Sequence, residues 1–446
     1  MIWIEFAIML TAILVGSQMK GIGLGVMGTV ALMIFILVFK MRPTDPPLDV
    51  MLIILSIVTT AAALQAAGGL DYLVGVAEKI IRSNPSQIVF IGPFTVFFLC
   101  LFAGTSHIVY SLLPIISEVS AKKRIRPERP LSMSVIASHL ALTSSPMSAA
   151  TAAMTAILAY PGAQKNILMI CIPASLIGVF VGCLSVLKMG KDLDKDPEFQ
   201  KKMLDPVFAA DIDKDSGSVK KTYKPGAKTS VAIFGIAILL IIIAGAFPQL
   251  IPSYGAGEAN FSITENGTLR MGTIIEIVTL SAAAAIMLIT KTSAVDVTKA
   301  SLFNSMASAV VSVFGVVWMA STFMHHNEST IKHALGDITT QHPWTFAIAV
   351  FVMGMLTFSQ AATTKTMMPL GVVLGIPAPQ LIAMFPAVNS DFVLPGYPTL
   401  LAAINFDKTG STHIGKFVVN HSFMRGGLIT IAVSIAMGFL FASLLL

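Results

Sequence analysis

The sequence carries a few charged side chains inside long apolar runs, where such residues are costly to bury. Lys365 follows the hydroxyl-rich stretch SQAATT, and Asp391 lies within NSDFVLPGYPT. A lysine at membrane depth costs about 3 kcal/mol or more unless it is paired. We expect Lys365 to bind an anionic substrate; a structural ion pair or snorkelling to the membrane interface is the alternative.

Hydroxyls and other polar residues cluster at four positions where glycine, proline or short polar stretches interrupt the apolar runs. Hydroxyl groups donate hydrogen bonds to carboxylate oxygens, so clusters of this kind suit an organic acid. The candidate substrate-binding residues at these interruptions are Gly104, Thr105, Ser106, His107, Ser144, Ser145, Ser148, Ser359, Gln360, Thr363, Thr364, Lys365, Asn389, Tyr397 and Thr399.

Three titratable residues at depth allow more than one role. Asp391 could bind a coupling proton or Na⁺, or it could pair with Lys365. His107 could contact the substrate or titrate, or it could be a satisfied histidine of a turn. His139 precedes its interruption by more than a helical turn and is expected to be structural. The three cysteines have no metal-ligand spacing, so we expect no metal and no cofactor apart from a coupling ion.

Helices that begin at the interruptions would direct these residues toward an anion. Backbone polar groups cannot stay unpaired in hydrocarbon, so each break predicts a polar pocket that is buried in protein or faces water. A helix N-terminus presents unpaired N–H groups and a partial positive charge to such a pocket. Two converging N-termini would match the two negative groups of a dicarboxylate.

The composition indicates a membrane protein. Of the 446 residues, 55% are hydrophobic and 12% are charged. Soluble domains carry about twice that fraction of charged residues, and a soluble core could not hide so much apolar surface. The net charge of +6 comes without interleaved basic and aromatic residues, so we expect a lipid bilayer and no nucleic acid as partner.

Eight apolar runs have about the 20 residues that a helix needs to cross the hydrocarbon. They are 2–18, 21–39, 50–67, 166–187, 230–250, 271–290, 301–323 and 423–446. Two longer regions, 87–160 and 344–405, are apolar but broken. Each is expected to contain a re-entrant hairpin, at about 87–118 and about 344–375, followed by a broken helix, at about 131–160 and about 379–405.

The two broken regions share one order of polar breaks and prolines. AGTSHIVYSLLPI aligns with FSQAATTKTMMPL, which pairs Gly104 with Ser359 and Pro114 with Pro369. Each region has a second break, and each of these breaks also contains a proline. In the second half this proline is Pro395. Interrupted helices at matching positions of two halves are typical of secondary transporters built from an inverted repeat.

The basic residues set the predicted orientation. Lys and Arg concentrate at 122–129 and in the charged stretch 189–228, which the positive-inside rule assigns to the cytoplasm. This places both termini in the periplasm and favours a hairpin over a crossing at 87–118. We predict an all-α polytopic membrane protein with about ten transmembrane helices and two re-entrant hairpins. Its halves are 1–188 and 229–446, and 189–228 is a cytoplasmic linker.

Several ordered stretches resemble the Dcu family, the anaerobic C4-dicarboxylate transporters of Gram-negative bacteria. They are GIGLGVMG (21–28), PPLDVMLIIL (46–55), LQAAGGLDYL (64–73), IRPERPLS (125–132), SSPMSAAT (144–151), SQAATTK (359–365) and STHIGKFVVNHSF (411–423). The resemblance implies an inner-membrane secondary transporter that exchanges fumarate, malate or aspartate for succinate by alternating access, with an elevator-type movement. It also implies a homodimer and, for some relatives, association with a membrane sensor kinase.

Other functions fit part of this pattern. A cation-coupled uptake carrier for another small organic anion would use the same architecture, with Asp391 at the cation site. A channel can also contain interrupted helices, although inverted hairpins favour alternating access. A membrane-embedded hydrolase is the remote alternative, because the chain lacks a G-x-S-G turn and its HHNE stretch is not H-E-x-x-H. We therefore do not expect an enzyme.

Overall fold

The computed structural model is built from α-helices, as the composition predicts. It describes residues 2–19, 22–46, 48–146, 148–158, 160, 162–213, 222–252, 254, 264–265, 268–300, 302–303, 310–311, 314–315, 318–319, 321–323, 325–327, 330, 344–394, 396–415 and 420–446. Within these ranges the strands are two short ones, β1 (Thr264–Glu265) and β2 (Thr268–Leu269), which pair antiparallel. The all-α class is therefore confirmed.

The first half contains nine helices in its described residues. They are α1 (Ile2–Met19), α2 (Gly23–Leu37), α3 (Leu48–Ala66), α4 (Gly69–Ser83), α5 (Ile88–Ala103), α6 (Val109–Lys122), α7 (Glu128–Ser144), α8 (Ala149–Leu158) and α9 (Ala163–Val186). Helices α5 and α6 are the arms of the predicted hairpin, and α7 and α8 are the pieces of the predicted broken helix. Helices α3 and α4 are bent by 73° at Gly68, whose φ of 83° is a conformation that glycine adopts without strain.

The linker is more ordered than its composition predicts. It contains α10 (Pro197–Met203) and α11 (Pro206–Asp213). Leu193, Phe199 and Ile212 are buried together with Ala121 at the end of α6. These apolar residues are too few and too widely spaced to show a period, so only their partner on another element identifies them as a core. Residues 214–221 of the linker lie outside the described ranges.

The second half repeats the same order of elements. Its helices in the described ranges are α12 (Ala227–Ala246), α13 (Met271–Thr290), α14 (Ala294–Lys299), α15 (Thr345–Thr357), α16 (Gln360–Val373), α17 (Ala378–Met384), α18 (Pro398–Phe406) and α19 (Met424–Leu445). Helices α15 and α16 form the second hairpin. A 3₁₀ segment, Phe385–Phe392, extends α17, and together with α18 it forms the second broken helix.

In the part of the chain that the structure describes, five helices are long and apolar enough to cross a membrane, or six if the bent pair α3–α4 counts as one span. They are Pro85–Ala103, Ala163–Val186, Ala227–Ala244, Gly272–Thr290 and Met424–Leu445. Four match uninterrupted runs of the sequence. The fifth, Pro85–Ala103, contains α5 and has 19 residues. A hairpin at 87–118 has two arms of about 15 residues each, so this arm is longer than predicted. The span predicted at 301–323 lies partly outside the described residues, and Pro395 also lies outside them. The total of about ten crossings stays a prediction.

The two hairpins and the two broken helices form one bundle in which partners are exchanged between the halves. The first arms stay within their own half: α5 packs on α7, and α15 packs on the 3₁₀ segment. The second arms cross over: α6 packs on α18, and α16 packs on α8. Each half therefore has an equivalent set of neighbours, and α9 and α19 pack along each other beside the bundle.

A second group of helices, called here the outer helices, comprises α1, α2, α3, α4, α12 and α13. Within this group α3 packs on α13, and α12 packs on both α13 and α4. A hydrogen bond of 2.6 Å from the Thr60 hydroxyl to the Thr279 carbonyl oxygen joins the outer helices of the two halves. They reach the bundle through α4, which touches α5 and α6, through α3, which touches α8, and through α1, which touches α15.

Candidate functional site

Both hairpins turn at a left-handed residue that is followed by an extended one. Gly104 has a φ of 67° and Phe358 a φ of 49°. Thr105 and Ser359 follow, and each side chain accepts a hydrogen bond from a backbone N–H at the start of the next arm. Alignment of Gly104 with Ser359 is therefore wrong by one residue at the turn. A phenylalanine gives no signal for a left-handed conformation, whereas a glycine does.

A buried histidine joins the two broken helices at the second interruption. His139, in α7, is 1% exposed. Its Nδ1 atom lies 2.9 Å from Asp391 Oδ1, and its Nε2 atom lies 2.7 Å from Thr399 Oγ1. Asp391 belongs to the 3₁₀ segment before the break, and Thr399 belongs to α18 after it. His139 thus connects the first half of the chain to both sides of the second break.

Asp391 is compensated by nitrogen donors on both of its oxygens. Gln360 Nε2 donates to Oδ2 at 2.7 Å. A carboxylate has no proton to donate, so His139 Nδ1 donates to Oδ1. All three side chains are buried. Asp391 therefore does not pair with Lys365, which was one of the alternatives from the sequence. Asp391 is the partner that holds His139, for which the sequence predicted a structural role.

Asn389 contributes an unpaired acceptor close to this network. Its Nδ2 atom donates to Thr143 Oγ1 at 3.3 Å and to the Pro386 carbonyl oxygen at 3.0 Å. Its Oδ1 atom is buried and has no partner in the described part of the chain. A buried acceptor left in this way costs about 1–3 kcal/mol. A ligand or a water molecule that donates a hydrogen bond would recover that cost.

Lys365 lies on α16, past the tip of the second hairpin, and is 2% exposed. Its ammonium group makes no hydrogen bond or ion pair with the residues that the structure describes. The neighbouring Thr366 Oγ1 is likewise buried without a partner among them. Burial of a cation is unfavourable without a counter-charge, so this side of α16 is the place where an anion would gain most.

The hydroxyls at the remaining candidate positions point to protein backbone in this conformation. Ser144, Ser145 and Ser148 each donate to a carbonyl oxygen. Thr363 donates to the Ser359 carbonyl oxygen at 2.8 Å, and Thr364 donates to that of Gln360 at 2.7 Å. Their lone pairs remain, but their protons are already used. These hydroxyls would have to rotate before they could donate to a carboxylate.

Tyr397, directly after the second break, contacts both His139 and the tip of the first hairpin. The Tyr397 ring lies 4.7 Å from the His139 ring in an edge-on arrangement, and its hydroxyl interacts with Ser106. His107 is exposed, and its ring stacks on that of Tyr110 with the centroids 6.0 Å apart. Of the predicted residues, the structure thus joins Ser106, Gln360, Asp391, Tyr397 and Thr399 through His139, and no hydrogen bond of the described residues connects Lys365 to this network.

The basic cluster at 122–129 is held by acidic side chains. Arg126 pairs with Asp196 at 2.7 Å and with Glu128 at 2.6 Å, and Arg129 pairs with Asp192 at 2.8 Å. Burial opposes the charge of Arg126, but the hydrogen bonds and charges of Glu128 and Asp196 outweigh burial and raise its pKa. The cluster therefore anchors the linker and offers less charge to a substrate than the sequence suggests.

Comparison with protein families gives a match over the whole chain. The profile of a family described as anaerobic C4-dicarboxylate membrane transporter matches residues 1–446. Individual relatives show the same extent of similarity. The C4-dicarboxylate transporter DcuA of Wolinella succinogenes is 39% identical over 447 residues, and the alignment covers 100% of both chains. The anaerobic C4-dicarboxylate transporter DcuB of Escherichia coli O157:H7 is 36% identical over 449 residues, which cover 99% of this chain and 98% of the relative.

Comparison with solved structures gives a similar fold at low identity. The crystal structure of the YdaH transporter of Alcanivorax borkumensis superposes with a TM-score of 0.50 and 13% identity. The superposition covers 93% of this chain and 88% of the other. At this identity the likeness concerns the fold alone, and it shows that this order of helices occurs in a transporter.

Proposed function

The chain belongs to the family of anaerobic C4-dicarboxylate membrane transporters, and we propose that it exchanges one C4-dicarboxylate for another across the inner membrane of a bacterium. The family and the apolar helices make it a multi-pass membrane transporter of C4-dicarboxylates. The proposal adds the mode of transport and the substrates, which are external fumarate, malate or aspartate against internal succinate.

The buried, unpaired ammonium of Lys365 is the observation that carries this proposal. One carboxylate of the substrate binds Lys365, which has no counter-charge among the described residues. The second carboxylate binds at the other hairpin, where Thr105 and Ser106 precede the start of α6. Aspartate differs from the other substrates by an ammonium group, and the unpaired Oδ1 atom of Asn389 is an acceptor suited to it.

Alternating access requires two bodies that can move against each other. We propose that the bundle carries the substrate, and that it moves against the outer helices in an elevator-type step. The support for this division is that, among the described residues, the hairpins and broken helices pack on one another and touch the outer helices through α1, α3 and α4. We propose a homodimer and a membrane sensor kinase as partner because of the resemblance described above. We propose periplasmic termini because of the distribution of basic residues.

Cation-coupled uptake is the second candidate function. It is favoured by the network of His139, Asp391 and Gln360, which holds a buried charge apart from the substrate position. Uptake and exchange are compatible in one carrier, because each is a different use of the same alternating cycle. The two modes are separated by whether transport needs a substrate on the opposite side.

Counterflow in proteoliposomes tests the proposal. Vesicles that hold purified protein are loaded with succinate and challenged with labelled fumarate, and in parallel with labelled aspartate. Exchange predicts rapid, saturable uptake of label that depends on internal succinate, with empty vesicles much slower. Label uptake that is equally fast without internal succinate would favour the uptake carrier, and flux that never saturates would indicate a channel.

A further inference from the structure

His139 is a buried imidazole at the centre of the molecule, and both of its ring nitrogens have partners. Among the residues that face it are Asp391 at 2.9 Å and Thr399 at 2.7 Å. His139 and Asp391 are separated by 252 positions in the chain and belong to different halves. A side chain that merely filled space at this junction would not need two hydrogen bonds from opposite sides of a broken helix.

The hydrogen bonds fix where a proton can be added. Asp391 Oδ2 already accepts from Gln360 Nε2, and Oδ1 accepts from His139 Nδ1. Nδ1 therefore carries a hydrogen whether the ring is neutral or charged. The free lone pair of the neutral ring is on Nε2, where the Thr399 hydroxyl donates to it.

The Thr399 hydroxyl can serve both charge states of the ring. It donates to Nε2 when the ring is neutral, and after rotation its oxygen accepts from Nε2–H when the ring is charged. A charged ring would have the Asp391 carboxylate as its counter-charge, 2.9 Å from Nδ1. Both states thus keep every ring nitrogen bonded, and the change between them needs only one bond rotation and one proton.

We propose that His139 Nε2 binds the proton that is transported together with the dicarboxylate. The inference rests on the second mode of the proposed function, cation-coupled uptake, and names its cation and binding atom. The proton enters from water on one side of the membrane, forms an N–H bond at Nε2 while Thr399 changes from donor to acceptor, and leaves by the reverse step on the other side. Asp391 holds the ring and stabilises its charge without being protonated itself.

A sodium ion is less suited to this site than a proton. Na⁺ is a hard cation and needs several oxygen ligands, as do other ions of this class. The two oxygens of Asp391 face nitrogen donors of His139 and Gln360. A sodium ion at the carboxylate would have to displace both donors and leave them buried without acceptors. This contrast assigns coupling to the histidine and not to the carboxylate alone.

Proton binding at this position would reach both the break and the hairpin tip. Thr399 lies in the first turn of α18, directly after Tyr397 and Pro398. The Tyr397 ring contacts the His139 ring, and its hydroxyl interacts with Ser106 in the first hairpin. A change in the direction of the Thr399 hydrogen bond therefore acts where the substrate is proposed to bind.

The other titratable groups near His139 are few. Asp391 faces it from the 3₁₀ segment, and Tyr397 faces it from the start of α18. His107, on the tip of the first hairpin, interacts with it electrostatically, and Tyr110 stacks on His107. Lys365, on α16, makes no hydrogen bond to it. Asp391, Tyr397 and His107 are therefore the charged or titratable groups that a pH dependence at this position would involve.

Proton movement measured together with succinate uptake tests the proposal. Proteoliposomes carry an internal pH-sensitive dye, and labelled succinate and the dye signal are followed at once under a pH gradient. We expect the native protein to acidify the interior in proportion to succinate. His139→Gln should lower the ratio of protons to succinate by about tenfold or more. The same change at the exposed His413, H413Q, should leave the ratio as in the native protein.

Two results would overturn the inference. One is a native protein that takes up succinate without protons while counterflow proceeds, which leaves exchange intact and removes only the proton site. The other is an H139Q variant that keeps the native ratio.

If H139Q does not fold, Thr399 supplies the test at saturating succinate. Thr399→Val should move the pH midpoint of uptake about one unit to the acidic side, because the charged ring loses the stronger bond, whereas Thr399→Ser should keep the midpoint. Equal midpoints in both variants would contradict the proposal.

Discussion

Lys365 and Asp391 are both buried charges, yet their surroundings differ in kind. Asp391 has a nitrogen donor on each oxygen, so its charge is compensated within the protein. Lys365 has no such partner in the described part of the chain. A charge that is already paired gains little from a ligand, whereas an unpaired one gains the whole of a new interaction. This difference is the reason for the proposal that Lys365 binds the substrate and that Asp391 has a supporting role.

Replacement of Lys365 by alanine should weaken substrate binding strongly. A hydrogen bond to a charged group is worth about 1.5–3 kcal/mol, which corresponds to a loss of affinity of about 10- to 100-fold. The measurement is the concentration of succinate that gives half-maximal counterflow. The variant should still insert, because removal of an uncompensated buried charge offsets the packing that is lost with the side chain.

The matched control for Lys365 is Lys299→Ala, which removes an exposed lysine at the end of α14. We expect K299A to keep the native half-maximal concentration. A K365A variant that matched both K299A and the native protein would show that the ammonium group does not contact the substrate.

Asp391 should matter for stability through the two donors that it accepts. Asp391→Ala leaves His139 Nδ1 and Gln360 Nε2 without acceptors, at a cost of about 1–3 kcal/mol for each. Asp391→Asn should recover most of this, because the Gln360 amide can turn to accept from the new amide nitrogen. Thermal unfolding in detergent should therefore rank native above D391N above D391A. Removal of the exposed carboxylate at Asp296 by D296A is the control; equal unfolding temperatures for D391A and D296A would contradict this assignment.

At the scale of elements, the contact between α9 and α19 depends on close approach of two backbones. A Cβ atom on Gly178 would lie 2.0 Å from Ser434 Oγ and 2.7 Å from the Thr430 carbonyl oxygen. Small residues at helix contacts in membranes allow such approach. The two helices flank the bundle from different halves, so their contact helps to hold the halves together.

Gly178→Val should therefore loosen the α9–α19 contact. Overpacking of a tight contact typically costs about 1–3 kcal/mol, and the backbone oxygen of Thr430 cannot move aside as a side chain would. We expect a lower unfolding temperature in detergent. Gly235→Val in α12 is the matched control, since no atom lies within 4 Å of its added Cβ. Equal losses in the two variants would mean that only the helix propensity of the new residue matters.

The elements of the bundle follow from the sequence to different degrees. Gly104 and the Ser-Pro stretch at 144–146 mark their breaks, because glycine and proline change the backbone in known ways. The turn at Phe358 carries no such local signal. The linker helices do carry one, because each begins at an Asp-Pro pair, Asp196–Pro197 and Asp205–Pro206, but the charged composition of the linker outweighed it. The pairing of His139 with Asp391 also could not be read from the chain, since the partners lie 252 positions apart and only the fold of both halves brings them together.

On the scale of the whole molecule, orientation is the property that the proposals most depend on. Lys165 and Lys191 are exposed at opposite ends of the segment that contains α9. In a variant without Cys100, Cys171 and Cys183, a cysteine at position 191 should react with an impermeant reagent only from the cytoplasm. A cysteine at position 165 should react only from the periplasm. Labelling of both positions from one side would exclude α9 as a crossing, and the reverse pattern would invert the proposed orientation.

The exchange of hairpin arms has a consequence for how such a chain could arise. Because α6 rests on α18, and α16 rests on α8, neither half completes its own packing. A primitive protein of half this length would have worked only as two copies inserted in opposite directions in the same bilayer. Gene duplication and fusion would have joined the two copies covalently. The linker that contains α10 and α11 would have had to be long enough to let both copies pack together.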